Sequence, residues 1–168
     1  ASINTPKRIT TDGTNFYVTS SHLIIKIVIS TRAMTVFAGD WGTNLGFSGS
    51  TNGTGRSASF NDTWGITTDG TNLYVVDSDN HLIRQIVIST RVVTTLAGTG
   101  SSGSTDNTTG TSASFNTPTG ITTDGTNLYV AYQDSDKVRQ IVISTGVVTT
   151  LAGSGVGGKN NGPGTEAT

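Results

Sequence analysis

The sequence predicts an all-β chain made of three copies of one four-stranded antiparallel unit, and three observations predict it. The stretch GITTDGTNLYVVDSDNHLIRQIVISTRVVTTLAG at 65–98 returns as GITTDGTNLYVAYQDSDKVRQIVISTGVVTTLAG at 120–153 and as RITTDGTNFYVTSSHLIIKIVISTRAMTVFAG at 8–39. No stretch sustains a helical period; each copy breaks instead into short β-branched runs separated by Gly, Asn, Asp and Ser. Apolar residues also fall on neighbouring positions in LYVV, LIRQIVI and VVTTLA, which puts them on both faces of the sheet. A four-stranded sheet buried on both sides by copies of itself is a β-propeller blade, and three blades make half of a six-bladed ring.

The 168 residues are expected to form one three-blade unit. Blade 1 covers about 1–39, and its opening ASINTPK matches ASFNTPT at 113–119, so the chain begins in the run that leads into a blade. Its strands are expected at 8–11, 15–19, 23–30 and 33–38. Asp-Gly pairs at 12–13, 69–70 and 124–125 close the first hairpin of each copy, because Gly takes positive φ without a Cβ clash. Blade 2 covers about 65–98 and blade 3 about 120–153. The connectors at 40–64 and 99–119 and the tail at 154–168 are rich in Gly, Ser, Thr and Asn. Both complete connectors contain Ala-Ser-Phe-Asn, at 58–61 and 113–116, and the Phe is expected to plug an apolar gap between blades.

Composition narrows the function. A net charge of -1, with ten scattered basic residues, offers no footprint for nucleic acid. No apolar run is long enough for membrane insertion. Charged residues make up 12% of the chain, about half the usual share. A surface wetted by hydroxyls and amides fits an extracellular or cell-surface protein, which we expect to be prokaryotic. Cysteine is absent, and the sequons at Asn52, Asn61 and Asn107 are what an Asn- and Thr-rich chain produces by chance.

Asn80-His81-Leu82, set after the extended LYVV and before Ile83-Arg84, resembles the signature of the NHL repeat. Blade 1 keeps Ser21-His22-Leu23 and blade 3 reads Ser135-Asp136-Lys137; the Asn-x-Pro-x-Gly-Ile opening at 116–121 and the Leu-Ala-Gly close extend the likeness over nearly the whole chain. The resemblance implies a propeller and leaves the activity open, since that family holds protein- and RNA-binding modules, extracellular solute-binding propellers and a few lyases. It also implies the alternative of a metal-dependent lyase or hydrolase, with a divalent metal held by His22 and His81 at the central channel. The residues themselves favour a simpler role, in which each His ties the turn between the second and third strands to its own blade. Asp77 and Arg84 are expected to form a salt bridge of the exposed, weakly stabilising kind. No nucleophile, base and acid are arranged as a catalytic set, so no catalytic residue is assigned.

In an up-and-down meander the turns between second and third strands share one end of the blade with the connectors. That long-loop face carries Trp41, Phe47, Asp79, His81 and Asp136, the candidates for binding a protein or carbohydrate ligand. Trp41 and Phe47 have no counterpart in the second connector, and Ala at both is expected to weaken binding with little change in stability. Three blades leave two sheet faces open. The tail at 164–168 matches 110–114, so the end of one copy leads into the start of another. The expected partner is therefore a second copy of the chain, as a homodimer closing a six-bladed ring or as a head-to-tail filament, unless the chain is a fragment and the remaining blades belong to a longer polypeptide.

Overall fold

The computed structural model describes residues 3–40, 48–132, 135–158 and 161–167. Blade 1 is built from β1 (Pro6–Thr11), β2 (Asn15–Ser20), β3 (Leu23–Val28) and β4 (Met34–Ala38), hydrogen-bonded in sequence order. The connector contributes a two-residue strand, β5 (Gly53–Thr54), that pairs with the outer edge of blade 2. Blade 2 itself is β6 (Thr63–Thr68), β7 (Asn72–Asp77), β8 (Leu82–Val87) and β9 (Val92–Ala97). Blade 3 is β10 (Pro118–Thr123), β11 (Asn127–Tyr132), β12 (Val138–Val142) and β13 (Val148–Ala152). All pairings within the blades are antiparallel.

The four-stranded expectation thus gains an outer strand. β5 pairs Gly53 with Val93 and Thr54 with Val92, and in blade 3 a single bridge from Asn107 to Val148 does the same. Each connector passes the rim of the blade ahead of it before turning inward to that blade's first strand. Polar connector sequence gave no period-2 signal for so short a pairing.

The register explains the both-faces pattern. Leu73 and Val75 of β7 point towards blade 1, with Ile66, Ile86 and Val93 beside them, whereas Tyr74 and Val76 point towards blade 3. The same alternation turns Ile121, Leu128, Val130, Ile141 and Val148 of blade 3 back onto blade 2. Phe60 and Phe115 fill the two gaps between blades as the sequence predicts, each fully buried in the cluster its blades share.

The Asp-Gly hairpins are a repeated device. In blade 2 the Asp69 carboxylate accepts the Thr71 and Asn72 N–H groups at 2.8 and 2.7 Å and the hydroxyl of buried Tyr74 at 2.7 Å. Asp12 with Tyr17 and Asp124 with Tyr129 repeat the arrangement. Burial raises the Asp12 carboxyl, but the bonds from Asn15, Thr14 and Tyr17 outweigh it and bring the pKa from 3.8 down to about 2. Asp69 is lowered by the same balance, and Asp124 chiefly by the N–H groups of Asn127 and Thr126. A carboxylate depressed in the folded state stabilises above its unfolded pKa and loses that contribution as pH falls through the folded value. Urea denaturation across a pH series should therefore show the contribution of these three carboxylates level above about pH 4 and declining towards pH 2. Asp12→Asn, Asp69→Asn and Asp124→Asn combined should flatten that decline.

Candidate functional site

The turns between the second and third strands of each blade meet the connectors at one end of the molecule, as the meander topology requires. There the Ser78 N–H donates to Asp62 O, the Asp79 N–H to Asn61 O, and the Thr63 N–H to Ser21 O. The structure places Asp79 and Asp136 on this face, exposed, and His22 and His81 half-buried within it. Trp41 and Phe47 lie outside the described residues.

The two histidines join successive blades instead of holding their own turns, which corrects the sequence reading. His22 Nδ1 accepts the Asp62 N–H at 3.1 Å, and His81 Nδ1 accepts the Thr117 N–H at 3.1 Å, in each case from the run that opens the next blade. Both donor residues have left-handed backbone, φ 56° at Asp62 and 41° at Thr117, which aims the N–H back across the joint. His81 itself sits at φ 55°, and Gly98 approaches so closely that a Cβ there would lie 2.5 Å from His81 O. Among the described residues no group of three or more His, Cys, Asp and Glu stands together as a metal centre. Asp62 further accepts Lys7 Nζ at 2.5 Å and Trp64 Nε1 at 2.8 Å. Burial raises its carboxyl, but those two bonds prevail and hold it below the usual value.

Beneath this face lies a second correction. Asp77 and Arg84 are both fully buried, and their 2.8 Å ion pair anchors the connector and lies out of reach of water. Arg84 Nη1 also donates to Ser59 O, and Nη2 donates to Thr51 O and Asn52 Oδ1. The guanidinium covers the Phe60 ring at 5.2 Å. Asp77 also accepts the Asn61 N–H and Asn80 Nδ2; burial nonetheless leaves its carboxyl above the ordinary value. Blade 3 repeats the design with the acid moved. Arg139 reaches Ser114 O, Thr105 O and the Tyr132 hydroxyl, and its carboxylate partner is Asp106 of the connector at 2.6 Å. The repeat alignment pairs Asp77 with Tyr132 and Asn52 with Asp106, so the exchange was visible in sequence only once the connector's path was known.

A cavity of about 310 Å³ opens on the long-loop face of blade 3. Ser104 and Asn116 from the connector, Ser135 and Lys137 from the β11–β12 turn, and Ser154 from the tail line it. Ser135 and Lys137 are the chain neighbours of Asp136, which is itself exposed. The lining residues were missed because single Ser and Lys residues in polar turns carry no sequence signal.

No protein-family model matches the chain. NHL repeat-containing protein 2 from Homo sapiens is 35% identical over 112 residues, 64% of this chain, and the Bos taurus protein is 34% identical over the same length. The chain spans 15% of the length of these relatives. A protein of unknown function from Bacteroides thetaiotaomicron superposes with a TM-score of 0.66 at 25% identity, covering 75% of this chain and 32% of that one. An auxiliary nutrient binding protein from Bacteroides ovatus superposes with a TM-score of 0.66 at 20% identity, covering 86% of this chain and 37% of its own. The identity to an NHL-repeat protein, together with superposition on these neighbours, supports the likeness to NHL-repeat β-propellers that the sequence carries.

Proposed function

We propose that the chain is a non-enzymatic, extracellular binding propeller that presents its long-loop face to a ligand and completes itself by docking its end blades on a second copy. The observation that carries this reading is that the two open sheet faces are the two unmatched halves of the internal joint. Ile9, Phe16, Val18, Ile27 and Met34 of blade 1 occupy the register positions of Ile66, Leu73, Val75, Ile86 and Val93, which in blade 2 are packed against the preceding blade. Tyr129, Ala131, Val138 and Leu151 of blade 3 likewise correspond to Tyr74, Val76, Ile83 and Leu96, which meet the following blade. Ile9 is 59% exposed and Leu151 45%, so each half lacks its cover.

The polar link of the joint is split in the same way. Asp136, at φ 47°, stands in the place of His81, and Thr5, at φ 50°, in the place of Asp62 and Thr117, so a second copy docked on these faces would bring the two together. The tail supports the same geometry. Gly153 N–H donates to Gly164 O as Gly39 does to Gly55 O and Gly98 to Gly110 O, so residues 164–167 lie on blade 3 as a connector lies on the blade it leaves. Two copies related by a twofold axis would form both joints at once and close six blades. The sparse charge and hydroxyl-rich surface support the extracellular assignment.

Ile9→Lys and Leu151→Lys each place an ammonium in the proposed joint from opposite sides. Sedimentation velocity should show each variant as a folded monomer where the unsubstituted chain is a dimer. Variants that sediment as the unsubstituted chain does would remove the end-blade joint.

A further inference from the structure

In blade 2 the corner between the β7–β8 turn and its connector is closed. Asn80 Nδ2 donates to Gly49 O at 2.7 Å and to Asp77 Oδ1 at 2.9 Å, and Leu82 is buried beside it. Gly103 is the counterpart of Gly49, since each donates its N–H to the carbonyl of the buried Phe, Phe60 or Phe115. The counterparts of Asn80 and Leu82 are Ser135 and Lys137. With the amide shortened to a hydroxymethyl, no bond among the described residues closes the corner in this way, and the 310 Å³ cavity lies there.

The polar groups left there are under-satisfied. Ser135 Oγ is buried with no hydrogen-bond partner. Among the described residues Lys137 Nζ has one hydrogen-bond contact, Ser104 Oγ at 3.4 Å, and no carboxylate at ion-pair distance. A hydroxyl and an ammonium that lack a full set of partners among the described residues, both on side chains that line one cavity, are groups that a ligand can satisfy.

We propose that this cavity binds a small hydroxylated carboxylate of the sugar-acid class, its carboxylate on Lys137 and its hydroxyls on Ser135, Ser104 and Asn116. The described lining has no aromatic ring on which an uncharged sugar would stack, so recognition rests on the ammonium and the hydroxyls. One ammonium is too little for a polyphosphate. This inference rests on the binding-module reading of the long-loop face and is independent of end-blade docking.

Calorimetric titration of the full chain with D-galacturonate, and with D-galactose as the uncharged analogue, tests it. Galacturonate should bind at least ten times more tightly than galactose. Lys137→Met should weaken galacturonate at least tenfold, and Ser135→Asn, which restores the amide that closes the corner in blade 2, should abolish binding without lowering the unfolding temperature. No heat with galacturonate at millimolar concentration, equal binding of galactose, or binding unchanged by both substitutions would each overturn it. Unchanged binding in both variants would put the ligand elsewhere and leave the binding-module reading standing. Sedimentation of the same samples reports separately on the second copy.

Discussion

Asp77→Tyr should destabilise the protein by about 3–5 kcal/mol, and adding Asn52→Asp should recover most of the loss. Tyr is the residue that blade 3 carries at this position, so the first substitution imports half of blade 3's solution without the other half. Arg84 would keep its bonds to Ser59 O, Thr51 O and Asn52 but would lose its carboxylate while remaining buried. A buried guanidinium without a counter-charge is the expensive state; an ion pair that is whole or absent altogether costs far less. Asn52→Asp then supplies the carboxylate from the connector, as Asp106 does for Arg139. The two changes should couple strongly in a double-mutant cycle read by urea denaturation. Two additive effects would mean that the blades do not use interchangeable carboxylate positions.

Phe115→Ala should cost about 3–5 kcal/mol, with Phe60→Ala close behind. Each ring is fully buried between two blades and covered by an arginine, Phe115 by Arg139 at 5.5 Å. Phe115 also stacks on Tyr132, with centroids 6.0 Å apart. Removing it empties a space walled by both blades 2 and 3, which cannot collapse without tilting one sheet on the other. Calorimetry should show the transition broadened as well as lowered, because blade 3 loses the residue that couples it to blade 2. A loss below about 1 kcal/mol would mean that the connector Phe is dispensable and that the strands alone hold the blades together.

The strands and their phase were legible because the repeat states them three times. β-branched runs, Asp-Gly hairpins and apolar neighbours in LYVV need only local chemistry to be read. The burial of Phe60 and Phe115 was legible for the same reason, since a Phe that returns in otherwise polar connectors has no local use. What the sequence hid are contacts set by the connector's path. Asp77 and Arg84 are seven residues apart and look like a surface pair; burial comes from Thr51, Asn52 and Ser59 folding over them. His22 and His81 were expected to serve their own turns, but their partners at Asp62 and Thr117 are 40 and 36 residues away. The blade 3 cavity arises from an absence, the Asn80 amide replaced by Ser135, and becomes visible only when two blades are superposed.

Light scattering on the purified 168-residue chain tests the central claim, that the open faces of blades 1 and 3 join. A single species of twice 17.3 kDa, stable on dilution, is the expected result. A monodisperse, cooperatively folded species of 17.3 kDa would contradict it, because the apolar faces that carry the argument would then rest in water without a partner.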